Sequence, residues 1–203
     1  MSLEIYEKIT QKSEFLRLPK KDVEMAMEKL KEDFFRKNAK EVAKKILGKI
    51  LIRKIGAREL RAKVVETEAY FGEDDPASKA SKGNGDLKKT MSMQAGTILV
   101  YGVHNNWLVN FVTGKEGEPE AVLIRALEPL NFEARCNGPG LLTKSLEIDK
   151  RFHQKNLFEI EKLFLEDNDE KFEIEEDFRI GVSKDLPEKL RFYIKGNRFV
   201  SKR

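Results

Sequence analysis

Glu66, Glu68 and Tyr70 occupy alternate positions in the apolar run VVETEAYFG, residues 64–72. In a strand, residues two apart share a face. Val64, Glu66, Glu68 and Tyr70 therefore fall on one face, and Thr67, Ala69 and Phe71 on the other. Two carboxylates and a phenol side by side mark either a solvated sheet edge or an active site. Other apolar, strand-like runs carry further polar residues: Tyr101 in TILVYGVH, Asn110 in WLVNFVT and Arg125 in AVLIRALEP. A carboxylate in an apolar cleft can act as general base to a water. Tyrosine faces can stack on a planar ring, and a cationic ring gains a further ~0.5–2 kcal/mol. An arginine beside the carboxylate would keep it ionised and help position the water. Each residue alone has a plainer reading: Tyr70 and Tyr101 as core aromatics, Glu68 and Arg125 as a buried ion pair, Asn110 as a turn cap. The set points to chemistry, provided the fold brings it together.

Other chemistries find little support. The single Cys136, with His104 and His153 far apart in sequence, makes no zinc-ligand pattern. No Ser-His-Asp or Cys-His signature is present. The isolated glycines of GKEG and GNG do not form a phosphate-cradling loop. Zinc, a nucleophile triad and a phosphate-cradling loop are thus all poorly supported.

The elements that must position these residues are legible in outline. Val23, Met27, Leu30 and Phe34 recur at helical spacing and predict a helix over 20–36. Asn38, with Glu41 three residues later, opens a second helix that closes near Gly48. Residues 49–54 and 60–71 read as strands joined at Gly56-Ala57-Arg58. Residues 72–96, rich in Gly, Ser, Asp and Lys, are too long for a simple connection and read as a functional loop. A hairpin follows, its strands flanking Asn105-Asn106. AVLIRALEP is a buried-type strand, Pro139-Gly140 precede a short helix, the acidic stretch holds edge strands or loops, and LRFYIKG is a last strand. Helices and strands do not alternate in a βαβ rhythm. The fold class expected is therefore α+β, with a mainly antiparallel sheet.

The 203 residues suit one domain, and 36% charged with 40% hydrophobic residues suits a folded, soluble chain. No apolar run approaches the ~20 residues of a membrane span. With no signal-peptide pattern and one cysteine, a reducing cytoplasm is expected. The net charge of +4 is unevenly spread. Residues 36–63 hold eleven Lys or Arg against two Glu, and residues 159–177 hold ten acidic residues against two Lys. A basic segment can neutralise phosphates; a solvated lysine-rich face is the more frequent meaning of such a run.

Five blocks in order, VAKKILGKILIRK, VVETEAYFGEDDPAS, LIRALEPL, NGPGLLTKSLEID and RIG…LRFYIKGNRFVS, resemble the 3-methyladenine DNA glycosylases of the alkyladenine (methylpurine) type. The resemblance runs from about Phe34 to Ser201. It implies a glycosylase domain over 34–203 and leaves residues 1–33 as an N-terminal helical extension outside it. It further implies a single domain around a curved antiparallel sheet with surrounding helices. The implied reaction is hydrolysis of a damaged purine's N-glycosidic bond by water after the nucleotide is flipped out of double-stranded DNA. The enzyme would need neither metal nor cofactor, and would be a monomer beside a prokaryotic chromosome. By resemblance, Glu68 is the general base, Arg125 helps hold the water, and the Ile180 carbonyl completes its ligation. Tyr70 and Tyr101 stack on the base, Asn110 crowds the 2-amino group of guanine, and Glu66 has at most a supporting role.

Three departures concern the DNA-facing rim. Lys79 stands where many members have a histidine. Pointing inward it would repel a cationic base and favour neutral oxo-purines; pointing outward it would meet a phosphate, the orientation expected of a lysine in a Ser- and Gly-rich loop. GVHNNWLVN is one residue shorter than usual and lacks a Tyr-Gly pair, so His104 and then Asn105 become candidates to wedge into the emptied stack, with Trp107 read as possible core. A usual TPRN stretch is absent. Two alternatives accompany the glycosylase reading: a noncatalytic binder of damaged DNA, and a nucleoside hydrolase. The intact Glu68 and Arg125 argue against the first, and basic residues 36–63 and 79–89 against the second.

Overall fold

The computed structural model describes residues 28–201. Its chain runs α1 (Glu32–Phe35), α2 (Ala39–Lys45), β1 (Ile50–Ile55), β2 (Arg58–Tyr70), α3 (Asp86–Met91), β3 (Ile98–Val103), β4 (Asn106–Val112), β5 (Ala121–Pro129), α4 (Pro139–Ser145), β6 (Leu163–Glu166), β7 (Ile174–Asp177) and β8 (Arg191–Ile194). All the strand pairings are antiparallel. The sheet follows the order β3-β4-β5-β2-β1-β6, with β8 also on β2 and β7 on β8. This is a single curled antiparallel sheet with a few helices, an α+β domain.

The 13-residue strand β2 organises the molecule. One edge pairs with β5; the other pairs first with β1 and then, from Glu66 to Glu68, with β8. Around Glu66 the β2–β5 register shifts twice, leaving Val65 and Arg125 without a cross-strand Cα partner. Such bulges bend a strand and re-aim its side chains. Here they lie where the sheet curls and where the polar residues sit.

The two faces of β2 meet different surroundings. Thr67 donates its hydroxyl to the Ala43 carbonyl of α2 at 2.7 Å. On that side Phe35, Val42, Ile46, Leu51, Phe111, Ile124 and Phe192 form the main core. Helix α2 starts at Asn38, whose side chain accepts the Glu41 N–H at 3.0 Å, as an N-cap should. The Glu41 carboxylate pairs with Lys37 and Lys45 instead of returning to the cap. On the opposite face Tyr70, Met91, Leu99, Val112, Ala121 and Leu123 form a smaller cluster.

Two readings from the sequence change. The stretch 20–36 is not one helix: residues 20–27 lie outside the described residues, and the next few are extended. Lys29 bridges Glu166, and the Leu30 N–H donates to the Leu165 carbonyl at 2.8 Å. Only Glu32–Phe35 is helical. The apolar spacing is real, since Leu30 and Phe34 pack on the core, but the exposed edge of β6 offers unpaired backbone groups that a short helix could not satisfy. The hairpin turn is also one residue earlier than expected. Val103 pairs with Asn106, leaving His104 and Asn105 as the loop, with φ of 45° and 63°. A two-residue loop with both residues at positive φ matches the twist of its strands.

The basic segment 36–63 does not form an open cationic face. Lys40 pairs with Glu188, Lys44 with Glu176, Lys49 with Asp167, Arg61 with Glu59 and Glu166, and Lys63 with Glu128 and Glu170. Arg36, Lys37, Lys45, Lys54 and Arg58 meet other carboxylates. Arg53 turns inward, stacks on Phe152 and donates to backbone carbonyls including Leu146. Most of these surface pairs are worth ~0–1 kcal/mol each, but together they cancel much of the positive field that the sequence displays. Outside this segment, Lys82 and Lys89 near the 72–96 loop are exposed and have no carboxylate partner among the described residues.

Candidate active site

Glu66 and Glu68 are both fully buried, an arrangement sustained only by paired charges and hydrogen bonds. The Glu68 Oε1 accepts the Ile180 N–H at 2.8 Å and lies 3.2 Å from Arg125. Its Oε2 accepts the Tyr70 hydroxyl at 2.8 Å. Burial raises the Glu68 carboxyl above its ordinary value; Arg125, the Ile180 N–H and Tyr70 pull against this, and Glu66 adds to it. Ionised carboxylate has about four acceptor positions. Oε1 meets the Ile180 N–H and the Arg125 guanidinium, whereas Oε2 meets the Tyr70 hydroxyl alone among the described residues.

Glu66 does something different. It accepts Arg125 Nε at 3.2 Å, Arg191 at 2.9 Å, the Ser201 hydroxyl at 2.9 Å and the Ser201 N–H at 2.7 Å. Three of these four donors meet Oε1 and one meets Oε2. Glu66 joins two arginines and fastens the C-terminal tail to β2. Arg125, from the β5 bulge, thus bridges the two carboxylates. Its NH1 also reaches the Ile180 carbonyl at 3.5 Å. Ile180 faces the site with both its backbone groups, whereas the sequence had pointed only to the carbonyl.

Tyr70, Tyr101, Asn110 and Lys79 line one small cavity with Met91, Leu99 and Ala121, of about 10 Å³. Burial pushes the Tyr101 phenol up to about 12, aided by the Glu68 charge, and likewise raises Tyr70 well above the ordinary phenol value. Both are neutral phenols at physiological pH. Asn110 donates to the Leu99 carbonyl at 3.1 Å, which fixes its amide in the wall. The Lys79 ammonium lies 5.0 Å from the centroid of the Tyr101 ring. The outward orientation expected from loop composition is not adopted.

His104 and Asn105 are outside this cavity, exposed at the hairpin tip, three and four residues beyond Tyr101. Trp107 is 37% exposed beside Gly102 and is not core. The hairpin leans on α4: Thr143 donates to the Trp107 carbonyl at 2.7 Å, and a Cβ at Gly140 would come within 2.7 Å of the Asn106 Cβ.

Arg179 was missed by reasoning from sequence. Its side chain is fully buried and makes two bonds to Asp75 at 2.6 and 2.7 Å, with further bonds to Asp185 and the Ala69 carbonyl. Its guanidinium stacks 4.6 Å from the Tyr70 ring centroid. Arg179 therefore backs one stacking ring, ties the 72–79 loop to the 178–186 loop, and precedes the residue that holds Glu68. Only its position beside Ile180 hinted at this; its partner lies 104 residues away. Among the described residues no group of three or more His, Cys, Asp or Glu side chains could hold a metal ion, and no helix is long and apolar enough to cross a membrane.

The chain is similar to known proteins. The profile of the family described as Methylpurine-DNA glycosylase (MPG) matches residues 33–198. A protein of Aeropyrum pernix is 41% identical over 180 residues, covering 85% of this chain and 93% of its own. One from Legionella pneumophila strain Corby is 42% identical over 184 residues, covering 87% and 100%. One from Clostridium botulinum strain Alaska E43 is 36% identical over 204 residues, covering 86% and 99%. All three bear the name "Putative 3-methyladenine DNA glycosylase". With a family match that takes in β2, β5 and the 178–186 loop, the chain belongs to the methylpurine-DNA glycosylase family, and is a DNA glycosylase that hydrolyses an N-glycosidic bond.

Proposed function

We propose that the protein removes damaged purines of the 3-methyladenine, 7-methylguanine and hypoxanthine class from double-stranded DNA, leaving an abasic site. The observation that carries this reading is the fully buried Glu68, whose Oε2 meets the Tyr70 hydroxyl alone among the described residues, beside an aromatic cavity. The damaged nucleotide rotates out of the stack, because its glycosidic bond is out of reach inside the duplex. Its base lies between Tyr70 and Tyr101, against Asn110. A water held by Oε2 of Glu68 attacks C1′ and gives its proton to the carboxylate. The C1′–N bond breaks and its electron pair goes to the purine. A cationic alkylated purine is thereby neutralised; a neutral purine must also take up a proton. The protein acts as a monomer, with His104 or Asn105 filling the gap in the stack.

Arg125, the Ile180 N–H and the Tyr70 hydroxyl offset part of the burial cost that raises the Glu68 carboxyl; the reaction uses its ionised form. The test is incubation of the protein with duplexes containing 3-methyladenine, 7-methylguanine or hypoxanthine, followed by alkaline cleavage at abasic sites. Strand breaks at the lesion support the reading. Lesion binding without breaks would instead make the protein a binder, and activity on free nucleosides alone would make it a nucleoside hydrolase.

A further inference from the structure

The cavity has room for about one water, far less than a purine. Tyr70, Met91, Leu99 and Ala121 form well-packed cavity walls. The Lys79 backbone is anchored as well. Asp75 accepts the Phe71 and Ala77 N–H groups and is clamped by Arg179, and Ser78, fully buried, accepts the Ala80 N–H. The element free to yield is the long, half-buried Lys79 side chain, whose ammonium rests over the Tyr101 ring. Among the described residues it has no carboxylate partner. A cation on an aromatic face with no counter-ion is placed by that face.

We infer that Lys79 is the specificity-determining residue of this base slot: its ammonium occupies the cation–π position that a positively charged purine would use, and so shifts the slot's preference toward neutral purines. The inference rests on the glycosylase reading for its substrates. An entering base must displace the ammonium whatever its own charge. Only a cationic base then remains next to a displaced lysine on a backbone that cannot retreat. It also meets a Tyr70 ring already engaged on its other side by Arg179. A neutral oxo-purine escapes this repulsion, and its carbonyl can accept a hydrogen bond from the ammonium.

Lys79→Met keeps the length of the stem and removes the charge; Lys79→Arg keeps the charge. Single-turnover excision is measured for wild type and both variants on 7-methylguanine and on hypoxanthine in one duplex sequence, at a pH where 7-methylguanine is cationic. The expected result is a rise of roughly 3- to 10-fold in the 7-methylguanine to hypoxanthine rate ratio for Lys79→Met, the range of one exposed to partly desolvated cation–π contact. Lys79→Arg should leave the ratio near that of wild type, and the salt dependence of DNA binding should be the same for all three. An unchanged ratio for Lys79→Met overturns the inference, whether both rates move together or neither moves. NMR titration of wild type and Lys79→Met with 7-methylguanosine and inosine gives the same ratio without bond cleavage. Failure of wild type to excise either lesion would thus sink the glycosylase reading, while the nucleoside ratio still decides for or against Lys79.

Discussion

Glu68→Gln should abolish base release and leave the fold intact. The amide has the shape of the carboxylate, so its oxygen can still accept the Ile180 N–H now at 2.8 Å from Oε1. The Tyr70 hydroxyl can rotate to accept from the new NH₂. Arg125 keeps Glu66 at 3.2 Å, so no buried charge is stranded. Loss of the base itself costs about 10²- to 10⁴-fold in rate, or ~2.7–5.5 kcal/mol at 1.36 kcal/mol per factor of ten. The direction of the Glu68 shift adds a check. A carboxyl raised in the folded state is favoured there in its protonated form. It stabilises the fold most at pH values below its unfolded value, and this contribution is lost as pH rises through the folded value. At neutral pH the charged side chain is therefore a net cost, and Gln should melt at or above the wild-type temperature. Catalysis needs the ionised form, so the wild-type rate should fall as pH drops through a value above that of an ordinary glutamate, near 4.5. The assay is single-turnover release of 3-methyladenine across pH, with thermal melts of both proteins. A Gln variant within a few-fold of wild-type rate would refute the role of Glu68. A variant that melts well below wild type would refute the argument that the carboxylate is retained for chemistry at the expense of stability.

Glu66→Gln should show the opposite balance. It leaves Arg125 and Arg191 short of a buried counter-charge and weakens the Ser201 anchor, so a loss of about 3–5 kcal/mol is expected, seen as a melting temperature lower by ~6–20 °C, with a smaller effect on chemistry than Glu68→Gln. Arg179→Met should lower both the melting temperature and kcat, because it releases Asp75, Asp185 and the Ala69 carbonyl and with them the backbone that leads into Ile180; wild-type kcat in the Met variant would remove Arg179 from the positioning apparatus. DNA affinity should fall with salt, but Lys44→Ala and Lys63→Ala, whose charges already meet Glu176 and Glu170, should leave the slope unchanged, whereas Lys82→Ala and Lys89→Ala should each flatten log K against log salt by about 0.9 if each meets one phosphate; filter binding from low to moderate salt reads this directly. Gly140→Ala should push Asn106 aside and with it the hairpin tip, weakening lesion-DNA binding several-fold while leaving the melting temperature within a few degrees.

What the sequence determined by itself follows from near neighbours. Alternation placed Glu66, Glu68 and Tyr70 on one face of β2. The Asn38 cap, the β3–β4 hairpin and the buried β5 strand each depend on a few consecutive residues, and each formed as read, the hairpin turn displaced by one. The five ordered blocks were enough to identify the family. Only the tertiary structure separated the two glutamates, because what distinguishes them is their partners: Ser201 lies 135 residues from Glu66 and the Ile180 N–H lies 112 from Glu68. It also showed that the basic segment is neutralised, since Lys44 meets Glu176 across 132 residues, a pairing that no charge count along the chain contains. Residues 28–30 became an extended edge because β6 offered them unpaired backbone groups. Lys79 turned inward for a similar reason. Loop composition favours solvent, but the Tyr101 face, brought within reach by a strand 22 residues further on, supplies an attraction that composition does not encode. Periodicity and capping are short-range and so are written locally; a buried charge is satisfied by whatever the topology brings to it, and that is decided only when the sheet closes.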